Sequence, residues 1–223
     1  MSFWGQVRVL MAHELKLESR AGETWAVILP FGLAALASLP LAVGDDLPLV
    51  SRVGPIVFWV TAALFGMQIA FRHASPERGP TRDLVRLLGV DPAARFVGSA
   101  ATNCVLLIGL LIALAVATVF FYTPAQLVSW PMALLVVILF AVGLAELGTI
   151  AGELTAGLGA RATLGPLLIA PLAAPLLIGA TQATNGLYRG SGILSWLLVL
   201  VMADLILAIA GVLSAGPLEE AAI

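Results

Sequence analysis

Six apolar stretches, each long enough to cross a bilayer, constrain this chain more than any other feature. A helical span needs roughly 17–25 predominantly apolar residues. Residues 25–43, 53–71, 96–122 and 163–183 meet that length without one charged side chain, while 130–152 and 192–214 carry one each, Glu146 and Asp204. Backbone polar groups in lipid must be satisfied within the segment, and these runs are too long for barrel strands. The fold class expected is therefore an all-α polytopic membrane protein of six transmembrane helices forming a single membrane domain over residues 1–223. Composition closes the alternatives. With 61% apolar and 11% charged residues, against about 25% charged in ordinary soluble domains, the chain could not cover a globular surface with polar groups. A soluble enzyme and a disordered adaptor are excluded. A net charge of −2 leaves no basic footprint for nucleic acid. The single cysteine, Cys104, rules out an internal disulfide and leaves a zinc cluster short of ligands.

Charge asymmetry sets the expected orientation. Arg8, Lys16, Arg20, Arg72, Arg78, Arg82, Arg86, Arg95 and Arg161 lie on one side of the six spans, and only Arg52 and Arg189 on the other. The positive-inside rule then places both termini in the cytoplasm. Trp25, Trp130 and Trp196 fall near span ends, as interfacial anchors do, whereas Trp59 lies deeper. No cleavable signal peptide is expected, because residues 1–24 precede the first apolar run and form an organised segment. In that segment Phe3, Trp4, Val7, Leu10, Met11, Leu15 and Leu17 fill one helical arc, with Gln6, Arg8, His13, Lys16 and Arg20 opposite. This predicts an amphipathic helix on the inner membrane surface. Glu14 and Glu18 fall inside the apolar arc. They either snorkel or point at the start of the first span, or they contact a partner or neighbouring helix.

Several chemistries have no residues to carry them. The only lysine, Lys16, has no glycine loop before it, so a phosphate cradle is missing and ATP hydrolysis would fall to another subunit. No zinc-protease HExxH is present, and no intramembrane Ser/His pair. No catalytic, cofactor-binding or metal-binding residue is assigned. The intramembrane polar candidates are Glu146, Glu153 and Asp204, since an ionisable side chain in a span is costly unless paired or protonated. Ion coupling would use such acids, but no matching basic partner or repeat accompanies them, which favours packing or hydrogen-bonding roles. Pro166, Pro171 and Pro175 are expected to kink or partly unwind the fifth span.

The loop at 72–95 is the most informative polar segment. Pro80 and Gly89 bracket a short helix over 81–88, whose apolar stripe is Leu84, Leu87 and Leu88 and whose polar side holds Arg82, Asp83 and Arg86, with Glu77 preceding it. Asp91-Pro92 supplies an N-cap and first-turn proline for the next helix. So short a helix needs a surface to rest on, either the lipid interface or a groove on a partner.

Four stretches in order then carry a resemblance: Glu14-Leu15-Lys16-Leu17-Glu18-Ser19-Arg20, Gly54-Pro55-Ile56-Val57-Phe58-Trp59-Val60, Pro171 through Ala180, and Trp196-Leu197-Leu198 through Asp204 to Leu218-Glu219. With the surface helix, six spans and loop helix, the chain resembles the permease subunit of type-2 ABC exporters, and more narrowly the heme exporter protein B (CcmB-type) family of cytochrome c maturation. The resemblance implies a homodimer within a larger complex holding an ABC ATPase, a heme-handling membrane subunit and a heme chaperone. It implies ATP on the partner subunit, heme handled by the complex, and release of the loaded chaperone. The loop at 72–95 would then be the coupling loop, with Glu77, Arg82, Asp83, Leu84, Arg86, Leu87 and Leu88 meeting the ATPase. Heme ligation by this chain is not expected, because no histidine falls on its outer side. Another type-2 ABC permease, for a lipid, drug or polysaccharide, is the alternative reading.

Overall fold

The computed structural model of the chain describes residues 2–22, 24–44, 46–72, 89–124, 127–156 and 165–221, and within these its helix-forming runs, bounded by caps, make seven helices. They are α1 (Phe3–Ala21), α2 (Leu29–Val43), α3 (Leu47–Arg72), α4 (Pro92–Tyr122), α5 (Trp130–Ala156), α6 (Gly165–Arg189) and α7 (Ile193–Ala221). A π-helical turn at Thr24–Ile28 leads into α2. Among the described residues all regular structure is helical.

Capping chemistry moves several boundaries from those expected. Asp91 caps α4 as its sequence context predicts, its Oδ1 accepting from the Ala93 N–H at 2.9 Å. The same device at Asp46 went unread. Its Oδ1 accepts from Leu49 N–H at 3.2 Å, and α3 therefore starts at Leu47 rather than at 53. Hydropathy alone placed the start later because Arg52 interrupts the apolar run. α1 ends at Ala21, where Gly22 adopts φ 64° and donates its N–H to the Glu18 carbonyl. α6 continues through Pro171 and Pro175 as one helix.

α4 is the hub of the bundle, packing on α1, α2, α3, α5 and α7, while α5 packs also on α3, α6 and α7, and α2 on α3. The main core gathers Leu106, Leu107, Leu110, Leu111 and Leu114 of α4, Phe140 and Leu144 of α5, and Leu176 and Leu200 of α6 and α7. Small residues set the separations, as they do where helices associate without a hydrophobic drive between them. A Cβ built on Gly148 would stand 3.1 Å from the Ala70 Cα, and one on Gly54 would stand 2.8 Å from the Tyr122 Cβ. Tyr122 is buried there, and its hydroxyl donates to the Leu36 carbonyl at 2.7 Å, joining α4 to α2. Trp59, too deep for an interfacial anchor, is buried edge-on to Phe140 and donates its Nε1–H to Thr184 Oγ1 at 3.0 Å.

The outside of the bundle is as apolar as its core. Leu41 and Phe120 are about four-fifths exposed, and Phe31, Leu194 and Leu213 are also largely exposed. Such faces are stable in lipid and untenable in water. Among the described residues five segments are long and apolar enough to cross a membrane: Thr24–Val43, Pro48–Ala70, Pro92–Tyr122, Trp130–Leu154 and Ile193–Gly216. The chain is thus a multi-pass helical membrane protein. α6 is more polar in its second half, with Thr181, Gln182, Thr184 and Asn185. The first two residues of the fifth expected span, 163 and 164, lie outside the described residues.

Candidate functional site

The described candidates assemble in two places: a clamp at the start of the chain and a polar layer inside the bundle. In the clamp, α1 does not simply float on an interface. Val7 is buried, and Leu10 packs on α4 where a Cβ on Gly98 would lie 3.1 Å from the Leu10 Cβ. Trp4 and Leu17 of the same apolar arc are exposed. The stripe turned to protein is therefore Val7, Leu10, Glu14 and Glu18, and the two acids sit in it because polar groups await them. Ser99 Oγ donates to Glu14 Oε1 at 2.6 Å. Thr24 N–H donates to Glu18 Oε1 at 2.9 Å, within a site where Glu18 is only 3% exposed. Glu14 thus contacts a neighbouring helix, and Glu18 caps the π-turn that opens the first span. Arg20 is exposed in the last turn of α1.

A third tie bears on the loop. Gln6 Oε1 accepts from the Asp91 N–H at 3.0 Å, so the exit of the loop is fastened to α1 at the residue that caps α4. The proposed coupling residues Glu77, Arg82, Asp83, Leu84, Arg86, Leu87 and Leu88 lie outside the described residues. Because the buried Thr24 N–H depends on Glu18, Glu18→Ala is expected to destabilise the chain by about 1–3 kcal/mol, with Glu18→Gln milder because it keeps an acceptor. Thermal unfolding in detergent measures this, and an unshifted midpoint for Glu18→Ala would remove the cap from the account.

The polar layer joins α4, α5 and α7. Asn103 Nδ2 donates to Thr149 Oγ1 at 3.1 Å and to the Ala70 carbonyl at 3.5 Å, and the Thr149 hydroxyl donates to the Ala145 carbonyl at 2.8 Å. Three residues before Thr149 stands Glu146, on the same side of α5. Three before that, Gly143 faces the Asp204 carboxyl of α7, whose Oδ1 a Cβ there would strike. Glu146, Asp204 and Cys104 are within electrostatic range of one another. Both Asp204 oxygens, Glu146 Oε2 and Asn103 Oδ1 are buried without a hydrogen-bond partner. Glu153, seven residues along α5 from Glu146, is half-buried.

Sequence reasoning picked out Glu146 and Asp204 but passed over Asn103, Gly143 and Ser99. The available signal was an amide and small residues inside otherwise apolar spans, which hydropathy averages away. Among the described residues no group of three or more His, Cys, Asp or Glu side chains is arranged to hold a metal ion. His13 is exposed on α1, and His73 lies outside the described residues.

Residues 6–218 match the family model described as CcmB protein. The chain is 32% identical over 197 residues to Heme exporter protein B of Pseudomonas aeruginosa, covering 85% of this chain and 86% of that protein. It is 30% identical over 183 residues to Heme exporter protein B of Paracoccus denitrificans, covering 80% and 82%. To the protein of that name from Rhodobacter capsulatus it is 28% identical over 183 residues, covering 81% and 83%.

Proposed function

The chain belongs to the CcmB protein family, and on that premise we propose that it is the membrane permease subunit of an ABC transporter that serves heme handling in cytochrome c biogenesis. The observation that carries this is the reach of the match, residues 6–218, which takes in the surface helix, the loop and the last helix together. A separate ATPase subunit supplies the hydrolysis that Lys16 and its surroundings cannot. A heme-handling membrane subunit and a heme chaperone complete the complex, and two copies of this chain pair within it. In this reading α6 is the sixth span of a type-2 exporter fold, both termini are in the cytoplasm of the inner membrane, and heme is cargo of the complex without being ligated here. ATP hydrolysis on the partner is coupled through the loop at 72–95 to release of the heme-loaded chaperone. The α1 clamp supports that role for the loop, since Gln6 holds its exit at Asp91.

Complementation tests the function. In a bacterium deleted for its own CcmB-family protein, this chain co-expressed with its ATPase should restore covalent heme staining of c-type cytochromes. Restored export of a lipid, drug or polysaccharide without cytochrome c assembly would favour the other exporter class. Topology is checked by single-cysteine labelling in a Cys104→Ala background. Positions 49, 128 and 191 should react with an impermeant maleimide from the periplasm, and position 82 only after the membrane is opened. Periplasmic reaction at 82 would reverse the orientation.

A further inference from the structure

The polar layer has too many acceptors for its donors. Asp204 is 7% exposed with both carboxyl oxygens unpartnered, and Glu146 Oε2 and Asn103 Oδ1 are unpartnered beside it. The donors of the layer are spent: Asn103 Nδ2 on Thr149 and Ala70, and the Thr149 hydroxyl on Ala145. No cation reaches the layer from the helices around it among the described residues. α3 bears Arg52 near its start and Arg72 at its end, α4 bears Arg95 in its first turn, and α6 bears Tyr188 and Arg189 in its last. Glu146 of α5 and Cys104 of α4 are the titratable groups within electrostatic range of Asp204 among the described residues. Two ionised carboxylates in an apolar bundle without a counter-charge would repel each other and forfeit their hydration. A carboxyl that takes up a proton becomes neutral and gains the O–H donor that the layer lacks.

We infer that Asp204 and Glu146 form a proton-binding site in the middle of the bundle, loaded from water, whose occupancy holds α5 and α7 in contact. Protonation forms one O–H bond on a carboxylate oxygen and consumes one proton from solvent; release reverses both. The contact at stake is the one at Gly143, where the Asp204 carboxyl lies directly against the α5 backbone. An ionised Asp204 needs water around it, and that water can enter only if α7 moves away from Gly143. The two acids titrate as a pair rather than as separate sites.

The test uses the full chain in native membrane vesicles. Dicyclohexylcarbodiimide adds to protonated carboxyls in apolar surroundings, and peptide mass spectrometry locates the adduct. Asp204 should be labelled at neutral pH, with labelling falling about tenfold for each pH unit once the acid ionises. Asp204→Asn should insert normally and lose that adduct. Asp204→Asn should also change the pH profile of any Glu146 adduct, because the Asp204 charge within range of Glu146 is gone; a Glu146 outside the site would keep its profile. Infrared spectroscopy of the wild type gives an independent reading, a neutral-carboxyl C=O band that moves on deuteration. Absence of both the adduct and the band overturns the site, and so does labelling that ignores pH. Protection by sodium at fixed pH would assign the pocket to a metal cation and overturn it equally.

Discussion

On the proposed coupling role of the segment at 81–88, Leu84→Asp and Leu87→Asp are each expected to abolish co-purification of an ABC ATPase and production of c-type cytochromes, while the chain still inserts in the membrane. Both positions belong to the segment at 81–88, outside the described residues, and the expectation rests on its amphipathic pattern. Three leucines, Leu84, Leu87 and Leu88, bury only about 5–8 kcal/mol of apolar surface at best before ordering costs are met. That is a weak hold on a lipid interface for a short helix, but enough in a protein groove where each leucine is fully desolvated. An aspartate in such a groove is a buried charge without a partner, and binding fails. Arg82 and Arg86 would reach an acidic rim, with Glu77 and Asp83 setting register more than affinity. Arg82→Ala should accordingly do less, since a rim charge is usually worth under about 1 kcal/mol. If both aspartate variants retain the ATPase and cytochrome c assembly, the segment is a surface tether and the coupling role is lost.

Gly148→Leu will destabilise the bundle by about 3 kcal/mol, lowering the thermal midpoint in detergent and broadening the size-exclusion peak. A Cβ at this position meets the Cα of Ala70 at 3.1 Å and its carbonyl carbon at 3.3 Å. Those are backbone atoms of α3, so no side-chain rotation can make room. The helices must part, and α3 and α5 are the two that hold Trp59 and Phe140 together. Ala34→Leu is the control: Ala34 is exposed on α2, and exchanging one good helix former for another there should be close to neutral. Equal stability of the two variants would mean that α3 and α5 do not approach each other this closely in the membrane.

Glu14 and Glu18 show where sequence reasoning reached and where it stopped. Their place inside an apolar arc was plain from the 3.6-residue period, and so was the conflict it created. Which group each acid meets was not, because Ser99 is 85 residues from Glu14 in the chain. Asp91 and Asp46 divide in a similar way. Both are local caps and both were in principle readable, but only Asp91-Pro92 had the immediate proline that makes the pattern stand out. At Asp46 the charge of Arg52 broke the hydropathy run and hid the helix start.

The sequence alone determined that this is a helical membrane protein, and that Glu146, Glu153 and Asp204 are acids carried on its apolar runs. Length and apolarity decide those points locally, through the cost of an unsatisfied backbone or a charge in lipid. Only the tertiary structure decided that Asp204 rests against Gly143, that Asn103 reaches Thr149, and that Gln6 holds the exit of the loop at Asp91. Those are contacts between distant helices. Lipid is as apolar as leucine, so the pairing of one apolar helix face with another is set by small-residue fit and by the few polar groups each helix carries. A hydropathy pattern contains no record of that fit.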